Sequence, residues 1–409
     1  MAHSLLIAVI AAFLWTSDPP APAPSTAGAH FVGSKQCESC HAETYASWRQ
    51  TRMANVVQDP KLHPEAVLGD FTHPDPNVTF TLDQVAFTYG SRWKQRYFTL
   101  IGDDYYVLPA QWDVAKKKWL PYHVADGTDW WTAHYPSDNM QRPTGPLCDG
   151  CHSVNYNIAT KKVTEWNVGC EKCHGPGSEH VAHPTKSNIV NPARLDVVRA
   201  NDTCIQCHSQ GRPKSNPIPD ASGVAKYYDW PVGYLPGQRL ADIWTFEEHK
   251  LGTADFYYWH DGTARKNRMQ GNDYVQSLMA HRDIRCSDCH NVHSAKHPSN
   301  LVDEVNDLCM NCHMHRFVAG PGTTQTIVEH THHAANSPAS QCTACHMPKI
   351  QVTIPGTFVA AHTFKFISPK MTQQFNMPNA CNQCHQDKDA AWSLKQLATW
   401  QTVSPWSLQ

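Results

Sequence analysis

Sixteen cysteines occur in this 409-residue sequence, and every one belongs to a C-x-x-C pair followed at once by histidine. The eight sites are Cys37/Cys40/His41, Cys148/Cys151/His152, Cys170/Cys173/His174, Cys204/Cys207/His208, Cys286/Cys289/His290, Cys309/Cys312/His313, Cys342/Cys345/His346 and Cys381/Cys384/His385. Thiols and imidazoles at this spacing could form redox disulfides, hold zinc or attach a porphyrin. A disulfide framework has no use for the trailing histidine, and a zinc ribbon pairs C-x-x-C units without needing one. C-x-x-C-H is the attachment signature of c-type haem, in which two thioethers fix the vinyl groups and the next histidine is the proximal iron ligand. With no cysteine left over, the sequence predicts eight c-type haems (haem c, iron).

Six-coordinate iron needs a second ligand at each site. The chain has 26 histidines, so the surplus covers eight distal positions. His293 stands three residues after proximal His290, too close to round the macrocycle to the far face of the same iron, so it is expected to bind a neighbouring haem. The same tether argument applies to His180 and His315. The run "EHTHHAANS" offers His330, His332 and His333, with His330 and His333 as the chosen candidates. His362, in "AAHTFKF", is expected near the seventh and eighth sites. His260, His281 and His134 are weaker candidates. Met53, twelve residues after His41, is a candidate thioether ligand that would raise the potential of the first haem. His30, on a free terminus after cleavage, could reach a haem in another copy.

The first residues of the sequence are read as an export signal. Residues 1–29 read as a signal peptide: an apolar run from Leu5 to Trp15, too short to span a bilayer, then a Pro-rich stretch and Ala27-Gly28-Ala29 as the cleavage site. No other stretch is apolar and long enough to cross a membrane, so no transmembrane segment is expected in the mature chain. Periplasmic or extracellular placement follows. The formal charge of −2 becomes markedly more negative once haem propionates are added, which disfavours nucleic acid and suits a basic redox partner.

Residues 30–409 are expected to form one octahaem domain. Its fold class is a multihaem cytochrome c fold, mainly α and irregular, with a haem-packed core and a small β-rich insert over 60–135. A second haem-free interval, 211–281, is rich in aromatic residues that pack on cofactor or core. "HAETYASWRQTRMANVV" reads as a helix, "NVTFTLDQ" as a strand, and "QRYFTLIGDDYYVLP" and "AQWDVAKKKWLPY" as hairpins; "DAAWSLKQLATW" reads as a final helix.

The stretches "FVGSKQCESCHAETYASW", "VGCEKCHGPGSEHV", "QSLMAHRDIRCSDCHNVHS", "CTACHMP" and "PNACNQCHQDKDAAW" resemble a family of exported multihaem c-type cytochromes. That family sits loosely within the superfamily of hydroxylamine oxidoreductase and the multihaem nitrite and tetrathionate reductases. The resemblance spans most of residues 31–392 and implies distal ligands at His180, His293 and His362. Relatives often carry tetratricopeptide repeats after the position of "DKDAAW", and none is read here. Relatives also carry histidine at the position of Met53.

The expected function is electron transfer along the haem chain between redox partner proteins, with no catalytic residue assigned. Two alternatives stand beside it. One is a reductase or oxidase of a small nitrogen or sulfur species at a haem with an open face. The proximal lysine of ammonia-forming nitrite reductases is absent. The other is a homo-oligomer or extracellular filament, in which a distal ligand would come from the next subunit.

Overall fold

The computed structural model describes residues 28–122, 143–314, 326–354 and 356–400. Residues 1–27 of the expected signal peptide, His134 and His315 lie outside the described residues. Regular structure is sparse, and the haem motifs themselves supply much of it. In each motif whose turn closes, the histidine amide bonds back to the first cysteine: His41 to Cys37 at 2.9 Å, His174 to Cys170 at 3.0 Å, His290 to Cys286 at 2.9 Å. One helical turn therefore gathers both sulfurs and the imidazole on one side, because residues three and four apart share a helix face.

The longest sheet is antiparallel with strand order β1-β2-β3-β4-β5: β1 Val57–Gln58, β2 Phe87–Tyr89, β3 Lys94–Ile101, β4 Asp104–Asp113 and β5 Lys118–Pro121. The β3/β4 hairpin turns at Gly102, with φ of +65°, and Ile101 pairs with Asp104. Strand alternation splits neighbouring aromatics between two faces. Tyr97 joins Phe80, Val85, Trp112 and Trp119 in one cluster. Phe98 joins Val57 and Tyr89 in another, which also takes in Cys148 and Trp166. The second face thus packs on the second haem motif.

Two expected elements differ. The helix after His41 is confined to Ala42–Trp48. Asn55 Nδ2 donates to the carbonyls of Arg49 and Thr51, at 2.7 and 2.8 Å. Such side-chain bonds hold the backbone out of the helical ladder. The "NVTFTLDQ" stretch forms no strand; its end is a 3-10 turn, Leu82–Gln84, capped by Thr81 and Gln84. Phe80 and Val78 still reach the core from this irregular segment.

The 211–281 interval wraps the second motif. Trp230 lies over Gly150, leaving no room for a Cβ there, and its indole donates to the Gly145 carbonyl at 2.9 Å. Tyr228 and Trp230 cluster with Cys151. A short pair, Lys349–Gln351 with Phe358–Ala360, returns the chain before His362. The final helix is Ala390–Leu397.

Candidate metal centres

Among the described residues, five motif histidines face another imidazole. His41 and His180 have ring centroids 6.4 Å apart and planes 16° from parallel. His174 and His293 are at 6.0 Å and 15°, and His290 and His362 at 6.4 Å and 27°. His346 faces His330 at 6.3 Å and 12°, and His385 faces His333 at 6.2 Å and 38°. True ring contact in this protein is shorter, as in His260 on Phe375 at 4.2 Å or His332 on Trp400 at 4.3 Å. Two metal–imidazole bonds of about 2 Å each, plus the two half-rings, span about 6 Å. The five pairs therefore fit a metal held between two imidazoles.

Hydrogen bonding orients these rings. Nδ1 of His174 donates to the Val190 carbonyl at 2.7 Å, that of His290 to Ser299 at 3.0 Å and that of His362 to Ala360 at 2.9 Å. His180 reaches the Thr185 carbonyl at 3.0 Å, and His333 the Thr331 carbonyl at 2.5 Å. A carbonyl only accepts, so the proton sits on Nδ1 and Nε2 is left for the metal. His281 has the same device, to the Ser277 carbonyl at 2.7 Å, although no motif ring faces it among the described residues. Nδ1 of His208 approaches Gln270 Oε1 at 3.4 Å. His313 closes the helix Val305–His313.

His152 is different. Its Nδ1 is shut from solvent without a partner, and no imidazole faces it among the described residues. Its ring meets Tyr89 at 5.5 Å and 66°. Burial, then the charges of Arg268, Lys172 and Arg96, push its pKa down to about 4. Arg268 Nη1 lies 3.8 Å from Cys151 Sγ, and Lys172 Nζ donates to the Gly150 carbonyl. Tyr89 Oη donates to Asp149 at 2.8 Å and Thr144 Oγ1 does so at 2.7 Å. Burial raises the Asp149 carboxyl to about 6 against those bonds.

The remaining candidates are placed as follows. His362 faces His290 of the fifth motif, not the seventh or eighth sites. Met53 opens a 3-10 turn, Met53–Asn55, and its carbonyl accepts from Val168 at 3.0 Å; the ring opposite His41 is that of His180. His260 lies flat on Phe375 with Nδ1 unpartnered among the described residues. The His30 amide donates to Ser178 Oγ at 2.9 Å. Sequence reasoning passed over Tyr89 and Arg268, which lie outside every motif, and Lys172, a variable position of the third; only the tertiary fold brings them to His152.

The sixteen sulfurs also approach one another, with no disulfide among them. Thiols from different motifs touch in Cys37/Cys170, Cys151/Cys207, Cys204/Cys286 and Cys309/Cys342. Cys173 lies within electrostatic reach of Cys204, Cys289 of Cys312, and Cys345 of Cys381. Together these contacts link all eight motifs into one connected set.

Cys40, Cys312 and Cys384 are exposed, whereas the other thirteen are buried or half-buried. Each of the three is the second cysteine of its motif. The first cysteine of each of these turns packs towards another motif: Cys37 on Cys170, Cys309 on Cys342 and Cys381 near Cys345. In these three turns the second sulfur is the more exposed of the two. Cys40 Sγ is met by the neighbouring Ser39 hydroxyl at 3.9 Å. Cys384 lies within electrostatic reach of Cys345 but keeps its solvent face.

The fold is that of multihaem cytochromes. Residues 279–316 match the family model of the doubled CXXCH motif. Among solved structures, the chain is similar to the outer cell wall cytochrome OcwA, at 22% identity and a TM-score of 0.69, over 91% of this chain and 87% of that one. It is also similar to an undecahaem cytochrome from the S-layer of Carboxydothermus ferrireducens, at 17% identity and a TM-score of 0.51, over 93% of this chain and 62% of that one. A third similar structure is the octahaem sulfite reductase MccA of Wolinella succinogenes, at 15% identity and a TM-score of 0.41, over 82% of this chain and 56% of that one. No curated protein sequence matches. No helix among the described residues is long and apolar enough to cross a membrane.

Proposed function

We propose that this chain is an exported electron-transfer cytochrome carrying eight c-type haems, most of them held between two histidines. The observation that carries the reading is the set of five imidazole pairs at 6.0–6.4 Å, joined to a connected set of motif cysteines. The haem supplies the one-electron couple when bound; the protein supplies the rest. His41, His174, His290, His346 and His385 would be proximal ligands, with His180, His293, His362, His330 and His333 opposite them. Two imidazoles keep coordination saturated in both oxidation states, so little reorganises when an electron moves. Carbonyl acceptors at Nδ1 hold His174, His180, His290, His333 and His362 and would raise their basicity. His152, His208 and His313 would be the proximal ligands of the other three sites.

Similarity to cell-wall and S-layer cytochromes supports placement outside the cytoplasm, with redox partner proteins as donor and acceptor. A second reading is favoured by His152. A haem there, with no imidazole opposite among the described residues and set among Arg268, Lys172 and Arg96, suits reduction of a small nitrogen or sulfur anion. An EPR spectrum of the oxidised holoprotein, with optical titration by nitrite, hydroxylamine and cyanide, separates the two. Low-spin signals alone and no ligand-induced shift support the carrier. A high-spin signal lost on ligand binding puts the reductase first.

A further inference from the structure

Three of the cysteine contacts share one device. The residue three before the first cysteine of one motif accepts a hydrogen bond from the first-cysteine amide of another. Ser34, three before Cys37, accepts from the Cys170 amide at 2.8 Å. Asn201, three before Cys204, accepts from the Cys286 amide at 2.9 Å. Asn306, three before Cys309, accepts from the Cys342 amide at 2.9 Å. In each case the two first cysteines are then the pair whose sulfurs touch.

The second half of the device is also repeated. The carbonyl two residues before the receiving cysteine takes a donor from the other motif's segment. Asn201 Nδ2 donates to the Ile284 carbonyl at 3.3 Å, and Asn306 Nδ2 to the Ser340 carbonyl at 2.9 Å. One asparagine amide thus holds both a donor and an acceptor of the partner backbone. Serine has no such donor, and at the first site the indole of Trp48 takes that part, donating to the Val168 carbonyl at 3.1 Å. The amide of Cys286 or Cys342 opens a helical turn and has no partner within it, so the bond also satisfies a helix N-terminus from outside.

We propose that Ser34 (with Trp48), Asn201 and Asn306 are positioning residues that lock the haems into three coupled pairs, of motifs one and three, four and five, and six and seven. A first cysteine anchors one edge of its macrocycle. Holding two first cysteines in contact therefore holds two haem edges in contact, and the pair becomes the electronic unit of the chain. The second and eighth motifs lack this clamp among the described residues and join the set through Cys151/Cys207 and Cys345/Cys381. The inference rests on the electron-transfer reading and adds the residues that set haem–haem geometry.

The test uses the purified holoprotein and circular dichroism in the main haem absorption band, where two haems held close give a paired positive and negative signal. Asn201→Leu and Asn306→Leu should each remove one pair's share of that signal and together remove two, with haem content unchanged. Asn201→Ser, which keeps an acceptor as at position 34, should retain it. A signal that persists in both leucine variants at full haem content overturns the proposal, as does Asn201→Ser losing as much as Asn201→Leu. Should Asn201→Leu fail to fold, Asn306→Leu reads an independent pair. Wild-type protein with no paired signal would overturn the haem pairing and the electron-transfer reading together. A signal indifferent to the variants would overturn only the clamp.

Discussion

His174 and His293 face each other with centroids 6.0 Å apart and planes 15° from parallel, although one belongs to the third motif and the other follows the fifth. The pair ties two distant stretches of chain to one centre, so each histidine is needed for the other's role. His293→Ala should convert one ferric haem from low spin to high spin and open it to added imidazole. His293→Met should keep it low spin and raise its potential, since a thioether favours the reduced iron more than imidazole does. EPR and a potentiometric titration of both variants check this; an unchanged low-spin count in the alanine variant would remove His293 from the ligand set.

Glu171 anchors the start of the described chain. Its carboxylate accepts from the amides of Val32 at 3.0 Å, Gly33 at 2.7 Å and Gly177 at 2.7 Å. Hydrogen bonds to a charged acceptor contribute about 1.5–3 kcal/mol each in context, and they are not additive. Glu171→Ala should cost about 3 kcal/mol of unfolding free energy and loosen residues 30–34, read by denaturant unfolding and by hydrogen exchange of those amides.

Gly150 stands between Cys148 and Cys151 with Trp230 against its Cα. Gly150→Ala must displace that indole or the motif turn. Overpacking of this kind costs about 1–3 kcal/mol. Thermal unfolding of the variant, with haem content measured alongside, should show the loss, and Gly150→Ala combined with Trp230→Phe should recover part of it.

Lys266 supplies a pH dependence. It is 6% exposed, and burial followed by the Arg268 charge lowers its pKa from 10.5 to about 8. The unfolded chain therefore binds this proton more tightly than the folded one, and stability rises as pH climbs from about 8 towards 10.5. Below pH 8 the folded state carries the full cost of a buried cation. Lys266→Met should raise stability at neutral pH by up to about 3 kcal/mol and flatten that rise, measured by denaturant unfolding across pH.

Much of the candidate site is legible in sequence because its covalent chemistry is local. The eight motifs announce themselves in five residues each. The tether argument sends His293 away from its own motif's iron, and in the structure its ring stands opposite His174. That address depends on long-range folding and could not be read. His362 shows the same limit: its motif partner, His290, is set by the short Lys349–Gln351 and Phe358–Ala360 pair rather than by sequence distance. Nor could the sequence tell inward sulfurs from outward ones, since Cys40 and Cys384 have the same local spacing as buried Cys151. The β3/β4 and β4/β5 hairpins were readable from alternation and turn residues. "NVTFTLDQ" alternates just as well, yet it buries Phe80 from an irregular segment, because packing on Tyr97 and Trp119 does not require a paired backbone. The clamp residues Ser34, Asn201 and Asn306 share a position relative to their cysteines, a regularity visible in sequence only once the structure shows what it does.

The most direct test of the account is a map of the iron atoms, obtained by anomalous diffraction at the iron edge from crystals of the purified holoprotein. Eight iron positions are expected. Five should lie midway between His41 and His180, His174 and His293, His290 and His362, His346 and His330, and His385 and His333. Fewer irons, or irons displaced from those midpoints, would contradict it.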